Sequence, residues 1–141
     1  MKLTLDIENT VTKRNGKLHL DPFEPDNSLT MVGMLNDQGV KRIVTFDHSD
    51  VSADEYGHVL VQEFLDAATV LICHNAAYDL MWLWESGFKY DGPVFDTMLA
   101  EYVLQRGIKE PLSLEACAER YELDTKKQDT LKEYFKQGYS T

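Results

Sequence analysis

Asp6 and Glu8 stand two residues apart in Leu3-Thr4-Leu5-Asp6-Ile7-Glu8, where apolar and polar residues alternate with the period of a strand. On a strand, residues i and i+2 share a face about 6–7 Å apart, so both carboxylates can reach one hard cation. Leu3, Leu5 and Ile7 take the opposite face. A lone Asp-x-Glu is a weak signal, and its bland reading is a solvated strand end. On an apolar, central strand that reading is less comfortable, because paired acids there repel and lose hydration unless a cation balances them.

The second group is His74-Asn75-Ala76-Ala77-Tyr78-Asp79-Leu80. Asn75 falls where a strand becomes a helix, and Asp79 lies one helical turn further on the same face. Taken alone, Asn75 is a helix cap and Asp79 an exposed helical acid. Beside a strand that neighbours the first, they add an amide and a third carboxylate to Asp6 and Glu8.

The elements that must hold these groups follow from periodicity. Asn15-Gly16 lies between two short β-type stretches and predicts a hairpin within residues 11–20. Residues 21–27 are rich in turn formers, and residues 29–35 and 40–46 read as further strands. Leu60, Val61, Phe64, Leu65 and Ala68 make the stripe of a helix over 54–68. The unbroken apolar run 69–73 suits a parallel strand covered on both faces. A helix over 76–85 should end at Gly87, and a short strand at 93–95 leads into a helix opening at Asp96. Ser113 is placed to cap another helix with Leu114, Cys117, Ala118 and Tyr121 as its stripe. A last amphipathic segment spans 128–137. Early strands followed by helix–strand units predict an α/β fold with a mixed sheet, in which ligands sit at the carboxyl ends of strands.

At 141 residues the chain has room for one domain, 1–141, and its 43% apolar content is that of a globular protein. No apolar run is long enough for a bilayer span, so no membrane partner is expected and a cytoplasmic location is the default. Cys73 and Cys117 form no C-x-x-C pair and read as buried thiols; the histidines show no zinc-ligand spacing. The formal charge of −10 is unsuited to gripping duplex nucleic acid unaided, because phosphate neutralisation supplies most non-specific affinity. Lys13, Arg14 and Lys17 surround the hairpin turn, where a solvated tip competes with phosphate contact. Trp82 and Trp84 cannot share a helical face, so one packs on the sheet and the other is free for base stacking.

Asp6-Ile7-Glu8, then His74-Asn75 with Asp79 and Leu83, then Phe95-Asp96-Thr97-Met98-Leu99-Ala100 resemble, in order and spacing, the DEDD superfamily of 3′–5′ exonucleases. The short loops are most similar to the N-terminal proofreading domains of phage-type family A DNA polymerases. The resemblance implies a ribonuclease H-like mixed five-stranded sheet flanked by helices. It implies Asp6, Glu8 and Asp79 as catalytic ligands of two Mg²⁺ or Mn²⁺ ions, with Asp6 bridging them and Asn75 orienting the terminal nucleotide. Such ions, about 3.5–4 Å apart, activate water and stabilise the leaving 3′ oxygen. The implied substrate is a single-stranded DNA 3′ end, and the implied partner is a polymerase domain in the same longer chain or a separate one, in a bacterial or phage-infected cell. The superfamily's last motif, Tyr or His followed four residues later by Asp, has no counterpart. Tyr121 is followed by Thr125 and Tyr134 by Gly138, Tyr139 is too near the end, and His48 is too early. The expectation is therefore a chain that stops before its C-terminal helix and fourth carboxylate and is inactive by itself. An RNA-trimming exonuclease and a catalytically silent ribonuclease H-like scaffold or partner-binding domain are the alternatives.

Overall fold

A computed structural model describes residues 1–46 and 53–124. The elements in chain order are β1 (Lys2–Asn9), β2 (Thr12–Arg14), β3 (Lys17–His19), β4 (Leu29–Asn36), β5 (Lys41–Thr45), α1 (Gly57–Ala67), β6 (Val70–Cys73), α2 (Ala76–Glu85), β7 (Val94–Asp96), α3 (Thr97–Leu104) and α4 (Leu114–Arg120). Five strands form one mixed sheet in the order β5-β4-β1-β6-β7. β1 is central, antiparallel to β4 and parallel to β6. β2 and β3 form a separate ribbon whose turn residues, Asn15 and Gly16, both have positive φ, as a two-residue hairpin requires.

Alternation on β1 is complete: Leu3, Leu5, Ile7 and Asn9 are buried, while Lys2, Thr4, Asp6 and Glu8 are exposed. Leu3, Leu5 and Ile7 join Val32, Met34 and Val44 from the sheet, Val61 and Leu65 from α1, and Trp82 and Leu83 from α2 in one core. α2 ends at Gly87 (φ 92°), with Phe88 N–H donating to Leu83 O at 2.9 Å and Gly87 N–H to Trp84 O at 3.1 Å. These are the paired bonds of a glycine-terminated helix, as the sequence predicts.

Two expectations need correction. α1 opens at Gly57 rather than at 54, because Asp54 is latched to the end of β5: Thr45 N–H donates to Asp54 Oδ2 (2.8 Å) and Asp54 N–H to Thr45 O (2.9 Å). β6 is parallel on both sides but covered on one: Leu71 and Cys73 are buried, Val70 and Ile72 only half-buried. Its half-buried face continues across the sheet through Thr4, Leu35, Ile43 and the exposed Phe95. The apolar stripe of α3, Leu99, Tyr102 and Val103, is also exposed. The amphipathic segment 128–137 lies outside the described residues.

Candidate active site

β1 presents Asp6 opposite Gly33 and Glu8 opposite Met31, both acids on the exposed face. Gly33 leaves that face clear beside Asp6: a Cβ there would meet only the Asp6 carbonyl oxygen, at 3.9 Å. The parallel register Lys2↔Val70, Leu3↔Leu71, Thr4↔Ile72 brings the carboxyl end of β6, and the start of α2 beyond it, alongside the same end of β1.

Asn75 occupies the cap position of α2 in a left-handed conformation (φ 66°, ψ 62°), and its side chain makes no capping bond. That conformation costs a non-glycine residue free energy, although asparagine tolerates it better than most. The bland alternative for Asn75, a helix cap, is thus only half met. Asn75 holds the position, but Asp96 supplies the acceptors. Asp96 Oδ1 accepts from Asn75 N–H (2.9 Å) and Oδ2 from Ala76 N–H (3.0 Å). The same carboxylate caps its own helix, accepting from Met98 N–H (2.9 Å) and Leu99 N–H (3.4 Å). Burial pushes the Asp96 carboxyl up, but the four backbone donors outweigh it and hold the group below the ordinary aspartate range. Both oxygens being engaged, Asp96 is a structural clamp rather than a spare ligand, and the Asn75 carboxamide is released from capping.

Asp79, expected as the third carboxylate of the site, is not the exposed helical acid it would be if taken alone: it is only 3% exposed. Its Oδ2 is buried and has no hydrogen-bond partner. Burial, then the charge of Asp6, raises its carboxyl from 3.8 to about 7; a bond from the Cys73 thiol opposes this, and Asp96 and Glu8 add to it. The Cys73 thiol, buried and beside Asp79, is itself pushed upward. Asp6, Glu8 and Asp79 therefore share one electrostatic neighbourhood. Among the described residues, however, no three His, Cys, Asp or Glu side chains converge into a group that could hold an ion as they stand. A buried carboxyl with an oxygen that lacks a donor, its pKa raised by burial and three neighbouring acids, is the environment a bound cation would relieve.

The surrounding residues play structural parts. The Leu112 carbonyl can only accept, so His74 Nε2 carries the proton it donates there (2.7 Å), and Nδ1 faces Thr97 Oγ1 (2.9 Å). Tyr78 Oη donates to Asn9 Oδ1 (2.7 Å), which suits core filling rather than base contact. Trp82 is buried, while Trp84 is exposed with its indole N–H on Tyr90 O (3.1 Å). Tyr121 Oη donates to Glu101 Oε2 (2.7 Å), tying α4 to α3. His48, Thr125, Tyr134 and Gly138 lie outside the described residues. Sequence reasoning missed the second helix that Asp96 caps and the thiol beside Asp79. The alternation of β6, which turns Cys73 inward, was the available signal for the latter.

A protein-family model described as 3′-5′ exonuclease matches residues 19–137. The chain belongs to this family. The matched span includes Asn75, Asp79 and Asp96, while Asp6 and Glu8 precede it. Among solved structures, this chain is similar to Brucella melitensis NrnC with bound Mg²⁺, with TM-score 0.62 and 20% identity over 89% of this chain and 56% of that one. NrnC bound to pGG gives TM-score 0.62 and 22% identity, over 89% of this chain and 55% of that one. The family B DNA polymerase from the archaeon Pyrobaculum calidifontis also has TM-score 0.62, at 17% identity over 87% of this chain and 18% of that one. At such identities the structural similarity shows the fold alone, an α/β ribonuclease H-like sheet, and the chain spans little more than half of NrnC's length. No curated protein matches in sequence. Among the described residues, no helix is long and apolar enough to cross a membrane.

Proposed function

We propose that residues 1–141 are the front part of a metal-dependent 3′–5′ exonuclease domain that acts on single-stranded DNA 3′ ends, as the proofreading module of a DNA polymerase. The observation that carries this reading is Asp79, a buried acid with an unpartnered oxygen, set in the field of Asp6 and Glu8 in a chain of the 3′-5′ exonuclease family. Asp6, Glu8 and Asp79 are the residues that would hold two divalent ions, Mg²⁺ or Mn²⁺. Such ions supply an activated water and charge stabilisation at the leaving 3′ oxygen. Asn75, freed from capping by Asp96, orients the terminal nucleotide through its carboxamide. The fourth carboxylate and the polymerase domain belong to chain beyond Thr141 or to a partner.

Calorimetric titration with Mn²⁺ tests the reading. The parent chain should bind the ion and Asp6→Ala should lose that site; identical isotherms would sink the proposal. The absence of a converged ligand group among the described residues favours a second reading, a catalytically silent scaffold, and the same titration separates the two. The similarity to a nuclease solved with pGG supports a third, trimming of short oligonucleotides including RNA. Degradation of matched DNA and RNA oligonucleotides by a chain extended past Thr141 decides between DNA and RNA.

A further inference from the structure

The β2–β3 ribbon has a construction that helix and sheet packing do not require. It leaves β1 just after Glu8 and Asn9, and residues 10–20 contain Lys13, Arg14 and Lys17 with no acid, in a chain of net charge −10. A two-stranded ribbon is marginal in water by itself. This one is braced at both ends. At its base, Leu20 O accepts from Trp82 Nε1 (3.2 Å) and Asn9 Nδ2 (3.4 Å), with Tyr78 Oη 3.1 Å away, which seats it on α2, the helix that carries Asp79. Along its length, Asn27 Oδ1 accepts from Thr12 Oγ1 (2.6 Å) while Asn27 Nδ2 donates to His19 O and Asp21 O (3.0 Å each). Near its tip, Arg14 pairs with Glu24 (2.8 Å) and with Asp26.

The charges at the tip are unevenly matched. Register sets Arg14 directly across from Lys17, a like-charge pair that disfavours the ribbon. Glu24 and Asp26 neutralise Arg14, but no acidic partner reaches Lys13 or Lys17 among the described residues. Lys13 pairs with Leu18 and so takes the opposite ribbon face from Lys17. A braced ribbon thus carries one unmatched ammonium on each face and is anchored on the helix of the candidate site.

We propose that this ribbon is a strand-guiding arm: Lys13 and Lys17 contact backbone phosphates of a single-stranded nucleic acid whose 3′ end lies at Asp6, Glu8 and Asp79. Arg14 is the brace of the arm and not a phosphate ligand. The arm rests on the exonuclease reading, and it accounts for how an acidic chain holds a polyanion near its acids: residues 10–20 offer three cations and no acid. Lysines on phosphate read charge and not sugar, so the contact serves DNA and RNA alike.

Fluorescence anisotropy tests this with 5′-labelled oligothymidylate and oligouridylate, with Ca²⁺ replacing Mg²⁺, over about 20–200 mM salt. Each phosphate neutralised on a single strand contributes about 0.7 to the log–log salt slope. Lys13→Gln with Lys17→Gln should therefore lower that slope by about 1.4 on both oligonucleotides, with several-fold weaker binding at the low-salt end. Lys13→Arg with Lys17→Arg should retain the parent slope. A parent that binds and a Gln double variant with unchanged slope and affinity would overturn the arm and leave the exonuclease reading standing. Equal losses in the Arg and Gln variants would overturn it too, since charge would not be the cause. A parent that binds neither oligonucleotide at low salt would overturn the arm, whose lysines are all present, while the exonuclease reading stands or falls on the Mn²⁺ titration.

Discussion

Replacing Asp79 by asparagine is expected to stabilise the metal-free protein at alkaline pH, against the usual direction for a change at a buried polar residue. The carboxyl is raised from 3.8 to about 7, first by burial and then by Asp6. At about 1.36 kcal/mol per pKa unit, that displacement means an ionised Asp79 costs the fold roughly 4 kcal/mol. Between pH 4 and 7 the folded state binds more protons than the unfolded chain, so the parent's stability falls as pH rises through that window. Asparagine removes the charge but leaves amide hydrogens to satisfy, at about 1–3 kcal/mol. The net gain expected for Asp79→Asn is about 1–3 kcal/mol at pH 8.5, vanishing or reversing at pH 5, where the parent carboxyl is already protonated. Urea denaturation in EDTA at the two pH values measures both differences. Saturating Mn²⁺ should then stabilise the parent and leave the variant unmoved. A variant less stable than the parent at pH 8.5, or an equal difference at both pH values, would refute the account of Asp79 as a strained, cation-seeking acid.

Other changes probe the frame around it. Asp96→Ala removes caps from two helices and should cost about 2–3 kcal/mol by urea denaturation at pH 7. Because the Asp96 carboxyl is held below its ordinary range, that difference should narrow as pH falls through it, stability being lost from the parent. Leu3→Ala, at a fully buried position on the central strand, should cost about 2–5 kcal/mol in the same assay. Gly33→Val has room for its Cβ and should change stability by no more than about 1 kcal/mol, yet its side chain would stand beside Asp6 and weaken Mn²⁺ binding severalfold in calorimetry.

Strong local periodicity made much of the fold legible. The alternation of β1, the Asn15-Gly16 turn, the extent of α2 with its Gly87 stop, and Ser113 as a cap (Ala116 N–H to Ser113 Oγ, 3.1 Å) all follow from residues close in sequence. Features set by distant partners were not legible. Asp54 was read into a helix because its bond to the end of β5 spans a separate element. A capping role for Asn75 stayed open because nothing local reveals that Asp96, 21 residues on, takes that task. The burial of Asp79 depends on where α2 settles against β1 and β6, which a helical pattern does not state. Of the site, residue types and order were readable; the strain on Asp79 and the division of labour between Asn75 and Asp96 required the three-dimensional arrangement.

The sheet face that carries Asp6 also exposes Leu35, Ile43 and Phe95, and α3 adds Leu99, Tyr102 and Val103 to the exposed apolar residues. Apolar surface of this kind promotes self-association. The excess of acidic side chains opposes it, since copies each bearing −10 repel one another over the distance that salt permits. That distance shrinks from about 30 Å at 0.01 M to about 3 Å at 1 M ionic strength. The acidity that hinders capture of a polyanion therefore also acts as colloidal protection, and dilute buffer rather than concentrated salt should keep the 141-residue chain dispersed.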